Sequence, residues 1–315
     1  MNSLKISFVV AVALMAISRP VSAQTCSCAS VPILGTMQSA SPKNKQWFIA
    51  STYTFSDISE LVSGSSTVPD QTGRDRTSQA LIFEVSRGLT AKWSFSAMLS
   101  VVQHERDVGG SIDRGSGLGD GVVMLKYSPT TISVYSKNTL SFGLGGRLPI
   151  GIDDVKNEGL TLSEDLHPST GAYGGIVWAY YARALNESAG AQVYFSTSYT
   201  YNGENDRDYQ FGHSTTAAIG GSYQTQTPWG FSLELFYRNA QRDKRNSVDI
   251  PNTGGQWLDV IPAVQYHATE ALALKASVKI PVTRDLNDSL QFTTKYAVSL
   301  SLMYLFGSWI SRYLP

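Results

Sequence analysis

The most constraining feature of the sequence is the alternation of large apolar residues near its C-terminus. Between Lys295 and Phe306, every second residue is large and apolar: Tyr296, Val298, Leu300, Leu302, Tyr304 and Phe306. A period of two places these residues on one face of a β-strand, because successive side chains of a strand point to opposite faces. A two-faced strand that ends in an aromatic residue is typical of a transmembrane barrel, with its apolar face toward lipid and its polar face toward the lumen.

The N-terminus has the three parts of a secretory signal peptide. Lys5 supplies the positive start, Ile6–Ile17 is the apolar run, and Val21-Ser22-Ala23 is a small-residue cleavage site. The apolar run is too short to span a bilayer as a helix. We therefore expect residues 1–23 to be removed, and the domain plan to continue with a periplasmic segment (24–44), a barrel (45–306) and a tail (307–315).

Composition and cysteine content narrow the class further. Charged residues make up 16% of the chain, and 25 basic residues balance 25 acidic ones, so nucleic acid is not an expected partner. The two cysteines are Cys26 and Cys28. In an oxidising periplasm they could form a disulfide, or they could hold a soft metal such as Cu(I). Two ligands alone do not define a metal site, so we favour a redox or tethering role and predict no cofactor.

Alternation of the same kind recurs along the chain and predicts an all-β fold, a single antiparallel transmembrane barrel of about twelve strands. Most segments have the length that a tilted strand needs to cross a bilayer. The weakest candidate is Tyr209–Gln224. The twelve segments are Trp47–Phe55, Thr77–Arg87, Trp93–Val101, Gly119–Tyr127, Thr139–Ile150, Thr170–Ala182, Ala191–Tyr201, Tyr209–Gln224, Trp229–Asn239, Gln256–His267, Leu272–Val282 and residues 290–306.

The connections alternate between short and long. Leu89–Lys92 and Thr225–Pro228 are short, whereas His104–Leu118 and Gly151–Ser169 are longer and polar. This asymmetry is typical of barrels in the outer membrane of Gram-negative bacteria, with short turns in the periplasm and long loops outside. Gly151–Ser169 is long and acidic, and we expect it to fold inward.

Tryptophan positions agree with this orientation. Trp47, Trp93 and Trp229 lie beside the short turns, and Trp257 follows a long loop, so we expect the first three at the periplasmic interface and Trp257 at the outer one. A soluble all-β sandwich would also alternate, but its outward face would be polar.

In nearly every segment of this chain, the face with the more regular pattern of residues is the apolar one. We assign these faces to lipid, including the face of the sixth segment, which carries Ile176, Trp178 and Tyr180.

The opposite faces carry ionisable residues, which we predict to line the lumen. They would form either salt-bridged networks that stabilise a hydrated interior or a polar path for solutes. Lys275, Lys279 and Lys295 lie on neighbouring segments and suggest a slight preference for anions. The predicted lumen-lining residues are Glu84, Lys126, Arg147, Glu234, Arg238, Asp259, Lys275 and Lys279.

The sequence contains no motif that points to an enzyme. Its four histidines are far apart, and no G-x-S-x-G nucleophile elbow occurs. His213-Ser214 does not have the spacing of the active-site residues in outer-membrane phospholipases. We predict no enzymatic activity, no catalytic residues and no metal ligands.

Two glycine-rich segments resemble the outer-membrane β-barrel transporter family of the meta-pathway of phenol degradation. The first is Gly117-Leu118-Gly119-Asp120, which leads through a strand to Lys126-Tyr127, and the second is Gly143–Gly151, which contains Leu148-Pro149-Ile150-Gly151. The Cys-Ser-Cys start and the tail Gly307–Pro315 depart from the family pattern. The resemblance implies passive uptake of small, aromatic or hydrophobic compounds, and no binding residues follow from it.

The sequence therefore predicts a monomeric outer-membrane channel through which small molecules diffuse without an energy source. Its partners would be membrane lipid and small-molecule solutes. The alternative is a non-conducting structural or adhesion barrel that binds partners through its long outer loops, because a small barrel can be filled by its own side chains. A third, weaker reading is periplasmic metal handling through Cys26 and Cys28.

Overall fold

The computed structural model describes residues 45–71, 73–129, 137–185 and 190–306. The predicted signal peptide, the segment with Cys26 and Cys28, and the C-terminal tail lie outside the described residues. Within the described part, twelve antiparallel strands form one closed barrel. Among these residues, no helix is long and apolar enough to cross a bilayer.

Each strand pairs with its neighbours in sequence, and β12 pairs with β1 over the full length of both strands. Closure leaves no unpaired strand edge, which is the condition for placing β-structure in lipid. β4 is interrupted at Gly119 and Asp120. The strands are β1 (Trp47–Asp57), β2 (Arg74–Gly88), β3 (Trp93–Val108), β4 (Ser111–Leu118 and Gly121–Tyr127), β5 (Asn138–Leu148), β6 (Gly174–Ala184), β7 (Ala191–Asn202), β8 (Ser214–Gln224), β9 (Trp229–Ala240), β10 (Gly255–His267), β11 (Leu272–Leu286) and β12 (Tyr296–Phe306).

Exposure alternates along the strands as the apolar pattern predicts. On β9, Leu233 and Leu235 are exposed on the outer surface, whereas Glu234 and Phe236 are buried inside the barrel. Large apolar residues are exposed in the same way on every strand. The twelve strands thus carry a continuous apolar belt, which is the surface that lipid covers in a transmembrane barrel.

Aromatic rings stack at the short-turn end of this belt, where they mark the membrane interface. As expected, Trp47, Trp93 and Trp229 lie at the strand ends beside the short turns. Each ring contacts an aromatic ring of the neighbouring strand. The pairs are Trp47 with Phe306 (6.3 Å between centroids), Trp93 with Tyr127 (4.8 Å) and Trp229 with Tyr266 (4.9 Å).

The predicted position of Trp257 at the outer lipid interface is wrong. Its side chain is only 6% exposed and points into the barrel, where its indole N–H donates to the Thr293 hydroxyl at 3.0 Å. Trp257 lies at the loop end of β10, but on the inner face that Asp259 shares.

Two predicted segment boundaries are also wrong. His104–Leu118, expected as a loop, continues β3 and β4 as a hairpin above the membrane belt. Its strands lack the apolar alternation because ionic cross-strand pairs hold them, with Arg106 bonded to Asp113 at 2.8 Å. In the weakest segment, β8 starts only at Ser214, and Tyr209–Gln210 pairs instead with Lys244–Arg245 in a small loop sheet.

One half of the barrel interior is filled by apolar side chains. Met98, Val122, Met124, Ile176 and Trp178 pack there in one cluster and are nearly inaccessible to water. The cluster fits because β5, which lies between β4 and β6, is glycine-rich: a Cβ at position 143 would lie 2.8 Å from the sulfur of Met124 and 3.1 Å from the Trp178 ring.

The lipid assignment for Ile176, Trp178 and Tyr180 is therefore wrong. These residues face inward, and the outward face of β6 carries Val177 and Tyr181. Both faces of β6 are apolar, so alternation alone could not orient it.

If lipid covers the apolar belt, β12 should tolerate a new charge on its inner face but not on its outer face. Leu300→Arg should destabilise the folded barrel by about 2–4 kcal/mol, because residue 300 faces lipid near mid-strand. Ser301→Arg should cost much less, since Ser301 faces the interior. Urea unfolding in phospholipid vesicles measures both, and equal losses would contradict the assignment of faces.

Candidate functional site

The other half of the interior holds a cavity of about 570 Å³. Strands β7 to β12, β1 and β2 form most of its wall, with Tyr180 of β6 at the boundary of the apolar cluster. The lining extends from Gly190 and Gly230, beside the short turns, to Trp257 and Thr293, beside the long loops. The cavity therefore runs along most of the height of the barrel.

The cavity has an aromatic wall and a hydroxyl wall. Tyr180 and Tyr194 form the aromatic wall, with stacked rings 6.3 Å apart. The hydroxyl wall is on β1 and β12, where Thr52 bonds to Ser301 and Thr54 to Ser299, each at 2.9 Å. In a closed ring of twelve strands, β6 and β7 lie opposite β12 and β1. The two walls therefore face each other across the cavity.

Six of the eight predicted ionisable residues lie on the surface of this cavity: Glu84, Glu234, Arg238, Asp259, Lys275 and Lys279. Five of the six have a close partner. Lys279 approaches Asp259 at 3.6 Å, and Arg238 stacks 4.8 Å above the Trp257 ring. Glu234 accepts a hydrogen bond from the Tyr194 hydroxyl at 2.8 Å, and Glu84 accepts one from the Ser86 hydroxyl at 3.0 Å. Opposite charges on these side chains balance across the lining.

The remaining two, Lys126 and Arg147, lie inside the barrel but not on the cavity. Lys126 is 1% exposed, with its ammonium 5.0 Å from the Trp178 ring centroid, and it interacts electrostatically with Glu84. Arg147 donates to the Asn202 side chain at 2.9 Å. Neither cation is part of the cavity lining, which the strand pattern does not reveal.

The outer loop between β5 and β6 folds into the barrel, as predicted for Gly151–Ser169. Leu166 is completely buried. The carboxylate of Asp165 is ion-paired with the buried guanidinium of Arg76, which points inward from β2. The neighbouring Glu164 bonds to Arg207 at 2.7 Å and so ties this loop to the next one.

The glycine motifs anchor this inward loop. Asp120 interrupts β4, and its carboxylate accepts hydrogen bonds from the hydroxyls of Ser169 and Thr170, the latter at 2.7 Å. Arg147, from the second motif, places its Nε 3.8 Å from the same carboxylate. One buried acid thus joins both motifs to the end of the loop.

Close backbone packing explains why glycine precedes Asp120. A Cβ at Gly119 would lie 2.4 Å from the Ser100 hydroxyl and 3.1 Å from the carbonyl oxygen of Pro168 in the loop. At Gly151, a Cβ would lie 2.2 Å from the carbonyl oxygen of Leu118. The sequence shows these glycines, but their purpose appears only once the loop is seen against β4.

Two ionisable groups in the loop respond to this packing. Burial raises the pKa of the Asp165 carboxyl, but the Arg76 guanidinium and a hydrogen bond from Ser163 outweigh burial, so the pKa lies below its usual value. Burial lowers the pKa of the His167 imidazole, against the opposing charge of Glu164. His167 Nδ1 accepts the Val155 N–H at 3.1 Å, and its Nε2–H donates to the Leu162 carbonyl oxygen at 3.1 Å. The packed loop thus requires neutral His167 and ionised Asp165.

Comparison with known families identifies a match that covers most of the chain. The model of the family described as "Putative MetA-pathway of phenol degradation" matches residues 62–287. This range covers more than half of the chain and contains β2 to β11. The match confirms the resemblance drawn from the two glycine motifs. No curated protein matches the chain in sequence.

A solved structure shares the fold of this barrel. The crystal structure of an outer-membrane channel from Pseudomonas putida F1 aligns with a TM-score of 0.67 at 13% identity, covering 85% of this chain and 98% of that one. The CymD monoaromatic hydrocarbon channel (TM-score 0.44, 10% identity, 90% and 93% covered) and the KdgM porin (0.46, 8%, 82% and 99%) align too loosely to support an inference. The first alignment shows that this chain shares its fold with that outer-membrane channel.

Removing the Arg76 charge should release the inward loop. Breaking a buried ion pair costs about 3–5 kcal/mol, so Arg76→Gln should speed amide hydrogen exchange in residues 163–170 by at least about tenfold. Arg74→Gln is the matched control, because Arg74 is also on β2 but pairs with Asp70, which precedes the strand, and not with a residue of this loop. Unchanged exchange in Arg76→Gln would show that the ion pair does not hold the loop.

The loop should also loosen in acid. The unfolded loop binds protons more readily than the packed loop at both His167 and Asp165, so its stability is greatest above the ordinary histidine pKa of about 6.5 and falls as the pH drops. Hydrogen exchange of residues 151–169, corrected for the intrinsic rate at each pH, should show lost protection between pH 7.5 and pH 5. In His167→Gln, which cannot titrate there, that pH-dependent change should disappear; a change of the same size would contradict the role of His167.

Proposed function

Because this chain belongs to the MetA-pathway phenol-degradation family and has the fold of an outer-membrane channel, we propose that it lets small molecules, including aromatic compounds, diffuse passively across the outer membrane. The observation that carries the proposal is the cavity that follows β7 to β12, β1 and β2 along most of the barrel height. A barrel serving only as a scaffold would not need half of its interior left unfilled.

The two walls of the cavity suit solutes that have a ring and a polar group. Stacking of a ring on Tyr180 or Tyr194 contributes about 0.5–1.5 kcal/mol, which is enough to attract a solute and too little to trap it. The hydroxyls of Thr52, Thr54 and Ser299 can replace the water that such a solute loses. Because the contacts with both walls are weak, a solute would pass through the cavity and not remain bound in it.

The inward loop would set the width of the outer mouth. It covers the filled half of the barrel and is tied to β2 through Arg76 and to a second loop through Glu164. Movement of this loop would widen the entrance without disturbing the strands. We propose that it is the gate of the channel.

We further propose that the channel is a monomer without catalytic activity. Every strand contributes exposed apolar residues to the belt, so the whole circumference is suited to lipid. Transport needs no energy source, because the solute moves down its own gradient.

Liposome swelling tests the function directly. The purified protein should let arabinose and phenylalanine enter liposomes, because both are small enough for the cavity. Ser299→Trp, which places an indole in the cavity, should slow entry severalfold, whereas Leu300→Trp, which adds the same ring on the lipid face, should not. No entry of either solute through the wild-type barrel would favour the alternative, a non-conducting barrel that acts through its outer loops.

A further inference from the structure

Lys275 differs from the other cations on the cavity surface. Lys279 is paired with Asp259, and Arg238 lies over Trp257. Among the described residues, the Lys275 ammonium forms no hydrogen bond and no close ion pair, although its side chain lines the cavity. Its one electrostatic partner is Glu234, whose carboxylate is already held by the Tyr194 hydroxyl. The ammonium therefore has donors available to a solute.

A second donor lies on the strand next to Lys275. The register of β11 and β12 places Lys275 opposite Ser301, and both residues line the cavity. Ser301 accepts a hydrogen bond from the Thr52 hydroxyl at 2.9 Å, so the Ser301 proton remains free to be donated. An ammonium and a hydroxyl on neighbouring strands can together bond the two oxygens of a carboxylate.

A series of side-chain interactions connects the aromatic wall to Lys275. Tyr194 stacks with Tyr180 and bonds to Glu234, and Glu234 in turn acts on Lys275. A flat ring on the tyrosines and an anionic group at Lys275 would therefore be served by one continuous part of the cavity surface.

We propose that Lys275, with Ser301, is a docking site for the carboxylate of small aromatic acids as they pass through the lumen. This inference rests on the proposed channel function and names a solute class for it. At this site the carboxylate exchanges hydrogen bonds to water for hydrogen bonds to Lys275 and Ser301. Because the net gain is small, the contact favours passage of aromatic carboxylates without binding them tightly.

Reversal potentials in planar bilayers test this assignment. Across a sodium benzoate gradient, Lys275→Gln should lower the benzoate-to-sodium permeability ratio about fivefold, which corresponds to about 1 kcal/mol. Lys275→Arg should keep the ratio within about twofold, since the charge remains. Lys295→Gln is the matched control, because it removes the same charge from an exposed residue outside the cavity lining.

Measurements of the same variants in sodium chloride distinguish docking of a carboxylate from a general electrostatic attraction of anions. If Lys275→Gln lowers the benzoate-to-sodium permeability ratio more than the chloride-to-sodium ratio, a carboxylate site is supported. Equal decreases in the two ratios would overturn it. Current through Lys275→Gln with an unchanged benzoate ratio would also overturn it, and would leave the channel function intact. No current through the wild-type barrel would instead overturn the channel function.

Discussion

The structure depends on one constraint: a backbone placed in lipid must satisfy all its hydrogen bonds within the chain. The closure of β12 on β1, paired from Trp47 with Phe306 to Asp57 with Tyr296, meets that requirement. Once the ring is closed, period-two alternation assigns every side chain to lipid or to the interior. The apolar belt, the aromatic pairs at the short turns and the polar interior all follow from this assignment.

Closure does not decide how the interior is used, and here the two halves differ. Glycines on β5 make room for Met124 and Trp178, so one half is packed like a soluble core. On the other side, serines and threonines on β1 and β12 leave a cavity. The inward loop lies above the packed half, because Asp120 binds Thr170 at its end and Arg76 pairs with Asp165. The family motif thus anchors the proposed gate, whereas other strands line the cavity below it.

The sequence predicts the barrel, its strand number and the inward loop, because each depends on local periodicity or loop length. It does not orient β6, since Val177 and Trp178 are both apolar and only packing against β5 decides between them. It also cannot show that Lys126 and Arg147 lie outside the cavity lining, because that depends on how the side chains of several strands pack in the interior. The ionic hairpin beyond His104 is missed because cross-strand salt bridges leave no apolar pattern.

The divided interior is the central claim, and thiol accessibility tests it most directly. In a variant with Cys26 and Cys28 replaced by serine, a single cysteine is introduced at position 299, 122 or 300, and the folded barrel in vesicles is treated with a membrane-impermeant thiol reagent. Ser299→Cys should react readily, whereas Val122→Cys in the apolar cluster and Leu300→Cys in the lipid belt should not. Equal reaction of Ser299→Cys and Val122→Cys, or reaction of Leu300→Cys alone, would contradict the account.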